Sequence, residues 1–383
     1  MGCYVKQVDG GDCCQQYITF AADPVTAPDE LEVFYRRLAH RLKTENGRVV
    51  WEKAFGSLDS REWVERCRQR YLPQKHSNHP FTYLEGAPVG GKGLAGLVLY
   101  ILRGKEVGYL PRKGCVEYRV DQNRRIYLAP GAAGENRGPS GLAQDFSQSV
   151  GRIQKALEQA GMRCSDAVRT WFYLGNIQRD YSLFNTLRRE MFDDAGIEYS
   201  ASSNDLPAST CIEGASPDST CTMEFLCCDK KTVKLRRIYN PEQNEAEGDQ
   251  YLHRPTFSRG MLLRTDHFCE LQISGTASID ARGKSVYLSD PVRQMEKTLQ
   301  NVRSLLHAAD MDFSDIAEST CFFQHPAHAP YFERCCESMG IAPFAHIKVK
   351  GNVCREDLLF ELDGIALKAT NTAAPSDPSG AKA

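Results

Sequence analysis

No stretch of this 383-residue chain is apolar for long enough to cross a bilayer as a helix. The longest such run, Gly93 to Leu102, is about half of the roughly 20 residues a span requires. The opening residues, Cys3 to Gln16, are polar and broken by cysteine, which is not the order of a secretory leader. Gly2 is followed at position 6 by Lys6, where a myristoylation signal wants Ser or Thr. A cytoplasmic protein with no membrane partner is expected. A basic surplus is missing too: 47 Lys+Arg stand against 49 Asp+Glu, for a net charge of −2. That balance excludes dominant binding to a nucleic-acid backbone.

Motifs for common chemistries are absent or incomplete. Fifteen cysteines include three adjacent pairs (Cys13-Cys14, Cys227-Cys228, Cys335-Cys336) but no CxxC, so zinc-ribbon and thioredoxin-type sites have no support. A disulfide framework is not expected without export, and most thiols should act as small buried hydrophobes. Gly86 to Gly93 nearly matches a phosphate-binding loop, yet Gly93 stands where the magnesium-binding Ser/Thr belongs and no helix pattern follows. It reads as a turn. His76/His79 and His325/His328 have metal-like spacing without acidic or thiol partners, beside Pro80, Pro326 and Pro330. They read as surface histidines, and no metal is expected. No Gly-x-Ser-x-Gly elbow occurs.

What is present is a duplication. Gly151 to Met162, Ser165-Asp166 and Trp171-Phe172-Tyr173 are repeated by Asn301 to Met311, Ser314-Asp315 and Cys321-Phe322-Phe323. The offset is 149 residues where Val150 pairs with Leu299, Ile153 with Val302, Leu157 with Leu306 and Ser165 with Ser314. Each copy predicts an amphipathic helix, an aromatic strand and a second helix. The second helices end near Gly196 and Gly340, residues suited to a left-handed terminus. Strands Leu271–Ile279 and Leu358–Ile365 flank the later copy. The order predicts an α+β protein, its sheets covered by helices on one face. Tyr17–Phe20, Pro28–Leu42 and Val49–Trp51 predict a strand, a helix and a strand of a third, degenerate unit. The tail, 370–383, is Ala/Pro/Ser/Gly-rich and reads as disordered.

Strand alternation puts Leu359, Glu361, Asp363 and Ile365 on one face. Two carboxylates there form either a wet edge, the commoner case, or a pocket wall whose dryness raises a carboxyl pKa towards neutrality. Arg169, Arg188, Arg189, Arg254 and Arg259 sit among aromatic residues, and their planar forks suit carboxylates. Solvated helix and loop charges are the plainer alternative, above all for Arg189.

Ile273-Ser274-Gly275-Thr276-Ala277-Ser278, the helix Gln294 to Ala309 and the closing Leu358 to Gly364 resemble the RidA/YjgF family. A larger set resembles its long chorismatase-like (pteridine-dependent deoxygenase-like) members: Arg169 to Tyr173, Leu206 to Thr210, Asn240-Pro241, Phe257-Ser258-Arg259 and Val353 to Glu361. These motifs keep the family order over roughly residues 145 to 367. The resemblance implies tandem RidA-like (chorismate mutase-like) units at 1–110, 111–232 and 233–369, arranged as a monomeric pseudo-trimer or assembling as a homotrimer.

It also implies a cofactor-free enzyme of secondary metabolism that binds a small anionic metabolite. Such an enzyme removes the enolpyruvyl group of chorismate, or of a related cyclic carboxylate, as pyruvate. Glu361 is carried over as the acid, with Cys354 as its catalytic companion. Arg188, Arg259 and Tyr251 match the carboxylate binders, and Tyr173, Thr210, Gly275 and Gln324 complete the substrate-binding set. Gly275 and Cys354 resemble the type that makes 3-hydroxybenzoate. Two positions depart from the pattern. Gln324 replaces a further carboxylate-binding arginine, a loss of roughly 1.5–3 kcal/mol in dianion binding, and Cys211 replaces a glycine. The carboxylate-binding arginine of imine deaminases falls at His346. A RidA-like enamine/imine deaminase and a non-catalytic metabolite binder are therefore the alternatives.

Overall fold

The computed structural model describes residues 2–22, 27–72, 78–112, 114–129, 140–199, 203–214, 216, 219–243 and 255–370. Tyr251, Arg254, His76 and the tail after Thr370 lie outside the described residues.

Three mixed sheets build the chain, each from its own stretch. The first takes β1 (Gly2–Gly10), β2 (Cys13–Ala21), β3 (Arg48–Gly56), β4 (Phe81–Glu85) and β5 (Leu94–Gly104), with α1 (Ala27–Thr44) and α2 (Arg61–Tyr71) between strands. The second takes β6 (Leu110–Arg112), β7 (Cys115–Val120), β8 (Asn123–Leu128), β9 (Ala167–Leu174), β10 (Ala208–Glu213) and β11 (Cys221–Cys228), with α3 (Leu142–Gln159) and α4 (Ile177–Asp194). The third takes β12 (Lys234–Ile238), β13 (Gly260–Arg264), β14 (Phe268–Ala277), β15 (Ile316–Phe323), β16 (Ile347–Lys350) and β17 (Phe360–Ala369), with α5 (Pro291–Ala308) and α6 (Tyr331–Ser338).

The three sheets share one topology. Their orders, β1-β2-β5-β3-β4, β7-β8-β11-β9-β10 and β13-β14-β17-β15-β16, are the same path, with β6 and β12 added at the edge of the second and third. In each, the last strand inserts at the centre, antiparallel to both neighbours. The first helix of every unit has 18 residues, and the 149-residue offset holds from the start of α3 to the end of β9. After that the copies diverge. α4 is 18 residues long where α6 is 8. Gly196 and Gly340, at φ 68° and 64°, end these helices as expected; a side chain there would strain the left-handed backbone.

Packing follows from two-sided sheets. The outer faces bury Leu31, Tyr35 and Leu38 of α1, Phe146, Ile153 and Leu157 of α3, and Met295, Leu299 and Val302 of α5, in three separate clusters. The inner faces of all three sheets meet in one further core, where Trp51 and Phe55, Trp171 and Tyr173, and Phe322 and Ile347 pack together. This core also holds buried charges: Lys53 pairs with Glu224 at 2.7 Å and Arg125 with Glu270 at 2.8 Å. Eleven of the fifteen cysteines are buried and all are free, in keeping with their reading as packing atoms.

One expectation fails here. His79 is not a surface residue: its Nε2 lies 2.8 Å from Glu52 Oε2 and 2.8 Å from Arg68 Nη2 in the interior of the first unit. Pro80 does not place it in solvent, because β4 runs parallel to β3 from Phe81 onward and carries the residues before it against Glu52.

Candidate active site

A cavity of about 750 Å³ opens between the second and third units. One wall is α4, started by the Asn176 side chain, whose Oδ1 accepts from Arg179 N at 3.1 Å. Tyr181, Asn185 and Arg188, spaced i, i+4 and i+7, line the cavity from one face of this helix. β10 supplies Ser209 and Cys211, and the segment 255–259 supplies Phe257 and Arg259. That segment is pinned between the units: Ser258 N donates to Pro207 O at 2.9 Å, and Ser274 Oγ donates to Ser258 O at 2.6 Å.

The opposite wall is built on a β-bulge. β14 pairs with β17 through Ile273–Gly364 and Thr276–Leu362, so Ser274 and Gly275 together oppose the single residue Asp363. Released from the ladder, Ser274 N donates to Arg259 O at 3.1 Å and Gly275 N to Thr210 Oγ1 at 3.1 Å. Bulges of this kind re-aim neighbouring side chains. A Cβ on Gly275 would collide with the Glu361 carboxyl, so glycine is what lets that carboxyl occupy its place.

Electrostatics set the character of the site. Glu361 is 5% exposed. Burial pushes its carboxyl up to about 8; the Asp363 charge adds to the rise, while Arg259 and Arg169 oppose it. It is therefore an acid near neutral pH and not the wet-edge carboxylate that strand alternation favours. Cys354 is half-buried, and burial together with the Glu361 charge pushes its thiol up to about 11, so it stays protonated as well. Facing these donors are two cations. Arg188 is 2% exposed; its Nη2 donates to Asn185 Oδ1 at 2.8 Å, and its buried Nε has no partner among the described residues. Arg259 Nη1 lies 3.5 Å from Gly275 O. Both guanidiniums stack on the Phe257 ring, at 5.2 and 4.8 Å from its centroid.

The structure thus brings Glu361, Cys354, Gly275, Arg188 and Arg259 to one cavity. Thr210 stands behind it, bonded to Gly275 N and to Asp363 Oδ2. Tyr173 is fully buried in the core between the sheets, 6.3 Å from the Phe55 ring. Gln324 does not line the cavity; its Nε2 donates to Glu356 O at 3.2 Å, in the loop that carries Cys354. His346 packs against Phe332 and Phe344, also away from it. Sequence reasoning missed Tyr181 and Asn185, although their spacing from Arg188 marks one helix face. Among the described residues no His/Cys/Asp/Glu group could hold a metal ion, and no helix is long and apolar enough to cross a membrane.

Comparison with known proteins bears on the fold. No family model and no curated protein sequence matches the chain. Among solved structures, a chorismatase matches with a TM-score of 0.59 at 17% identity, covering 83% of this chain and 93% of its own. Two shorter matches cover about a third of this chain. YyfA of the Rid family from Yersinia pestis has a TM-score of 0.29 at 19% identity, covering 35% of this chain and 98% of its own. The YjgF gene product of E. coli has a TM-score of 0.27 at 18% identity, covering 34% and 95%. The chain has a chorismatase-like fold, as the resemblance implied.

Proposed function

We propose that this chain is a chorismatase-like enzyme that removes the enolpyruvyl group of chorismate, or of a related cyclic carboxylate, as pyruvate. The observation that carries the reading is Glu361: a buried carboxyl, held up to about 8, in the same cavity as the two guanidiniums of Arg188 and Arg259.

The chemistry suits these residues. An enol ether is protonated at its methylene carbon, which requires a proton donor in a dry site and leaves an oxocarbenium-like cation. Glu361 is that donor, and once ionised it stabilises the cation beside it. Water then adds to the cationic carbon and returns a proton to Glu361, and the hemiketal collapses to pyruvate and the ring alcohol. Overall the enol ether and one water give pyruvate and the alcohol, so atoms balance without a redox partner. Arg188 and Arg259 bind the carboxylates by charge-assisted hydrogen bonds, and the Phe257 ring stacks with both cations. Ala277, Ile279 and Leu358 give the cavity apolar surface for a ring. Gly275 and Cys354 support 3-hydroxybenzoate as the product type; there the ring alcohol also loses its second hydroxyl, with a ring hydrogen, as water, so that chorismate gives pyruvate and 3-hydroxybenzoate with no net consumption of water.

The test is pyruvate release from chorismate, followed by coupled reduction of pyruvate. Release is expected from the parent protein and a loss of at least about 100-fold in Glu361→Gln, the scale of general-acid catalysis. Because the acid form is the active one, rate should fall as pH rises above about 8, roughly tenfold per unit. No pyruvate, or equal rates from the two proteins, would overturn the reading. A RidA-like deaminase would instead release ammonia from 2-aminoacrylate-type intermediates.

A further inference from the structure

A second buried carboxylate lies two residues beyond Glu361 on the same face of β17, outside the cavity. Positions two apart on a strand are separated by about 6.7 Å, so Asp363 sits directly behind the acid. It is 5% exposed and held from two directions. Arg169 Nη2 donates to its Oδ2 at 2.9 Å, and Thr210 Oγ1 donates to the same oxygen at 2.7 Å. Thr210 Oγ1 in turn accepts from Arg169 at 2.7 Å and from Gly275 N at 3.1 Å. Arg169 is fully buried. One connected network therefore links Asp363 to the bulge that Glu361 packs against.

We infer, resting on the reading of Glu361 as the acid, that Asp363 is a positioning residue for it. Clamped by Arg169 and Thr210 opposite the β14 bulge, Asp363 fixes the place of the Glu361 carboxyl and supplies the charge that keeps the proton on it. A carboxylate this close disfavours a second negative charge. The groups facing the pair act from several elements: Arg169 from β9, Cys211 from β10, Glu318 from β15, Arg259 and Cys354 from the cavity segments. After burial, Asp363 is the largest influence on Glu361 and acts against both arginines. On its other side Glu318 is likewise pushed up to about 8 by burial and by Asp363. Asp363 thus stands between two proton-holding carboxyls, paired with the guanidinium of Arg169.

Infrared spectroscopy of protein carrying carboxyl-labelled glutamate reads the Glu361 proton directly, without turnover. Subtracting the Glu361→Gln spectrum removes the Glu318 band. In the parent the protonated band should vanish with a midpoint near pH 8. In Asp363→Asn the midpoint should fall by about one unit or more, a tenfold change in the protonated-to-ionised ratio at fixed pH. An unmoved or raised midpoint overturns the inference. Asp363→Asn leaves the Arg169 charge buried without its partner and could fail to fold. The charge-neutral pair Arg169→Gln/Asp363→Asn avoids this and should also lower the midpoint, by less. The two readings separate cleanly. A shifted band with no pyruvate from chorismate overturns the enzymatic proposal alone, and an unshifted band with pyruvate release overturns only the role of Asp363.

Discussion

Arg188 is a buried cation with no acidic partner among the described residues, held by Asn185 and by the Phe184 and Phe257 rings. An unneutralised buried charge costs stability. Arg188→Met should therefore leave the empty protein as stable as the parent or more so, by on the order of 1–3 kcal/mol. It should also abolish the thermal stabilisation given by a cyclic dicarboxylate such as isophthalate. Melting curves with and without that ligand check both halves. A lower melting point without ligand would mean that the guanidinium serves the fold and not an anion. Gly275→Ala is a separate case. The new methyl group meets the Glu361 carboxyl, so the acid must move, and pyruvate release should drop at least tenfold with little change in fold.

At the level of elements, α4 is the longer of the two repeated second helices, 18 residues against 8, and it supplies one wall of the cavity. Much of this was legible in the sequence. The offset revealed the existence and order of α3, β9, α5 and β15, because helix and strand periods write themselves into apolar spacing, but not their ends: α3 starts at Leu142, nine residues before the repeat read from Gly151. The roles of the acid and its arginines were legible only through resemblance, since alternation cannot tell a dry carboxylate from a wet one, nor which of Glu361 and Asp363, both buried, reaches the cavity. What decides between them is the β14 bulge, a register change between strands that no local pattern records.

His79 was misread for the same reason, because its partner Glu52 is distant in sequence. Burial alone would raise the Glu52 carboxyl, but Arg68, His79 and Tyr35 together bring it down to about 2 from 4.5. A carboxyl with a lowered folded pKa contributes stability above its unfolded value and loses it as pH falls. The first unit should therefore lose on the order of 3 kcal/mol between pH 4.5 and about 2. Glu52→Gln should flatten that acid transition while lowering stability at pH 7, both visible by circular dichroism.

For the whole molecule, the core shared by three sheets makes separate unfolding of one unit expensive, so calorimetry should find a single cooperative transition. Its pH dependence has a definite sign on the alkaline side. Glu361 and Glu318 hold protons in the folded chain up to about 8 that an unfolded chain releases near 4.5. Each contributes stability that is complete below 4.5 and lost as pH rises through 8, so the melting temperature should fall from pH 6 to pH 9.

The cavity's two walls belong to units joined by one backbone. An interface between separate subunits exists only as far as mass action maintains it, and it empties when the protein is thinned to nanomolar levels. Here tethering sets the effective local concentration of one wall beside the other, whatever the bulk concentration. Specific activity should therefore be indifferent to dilution.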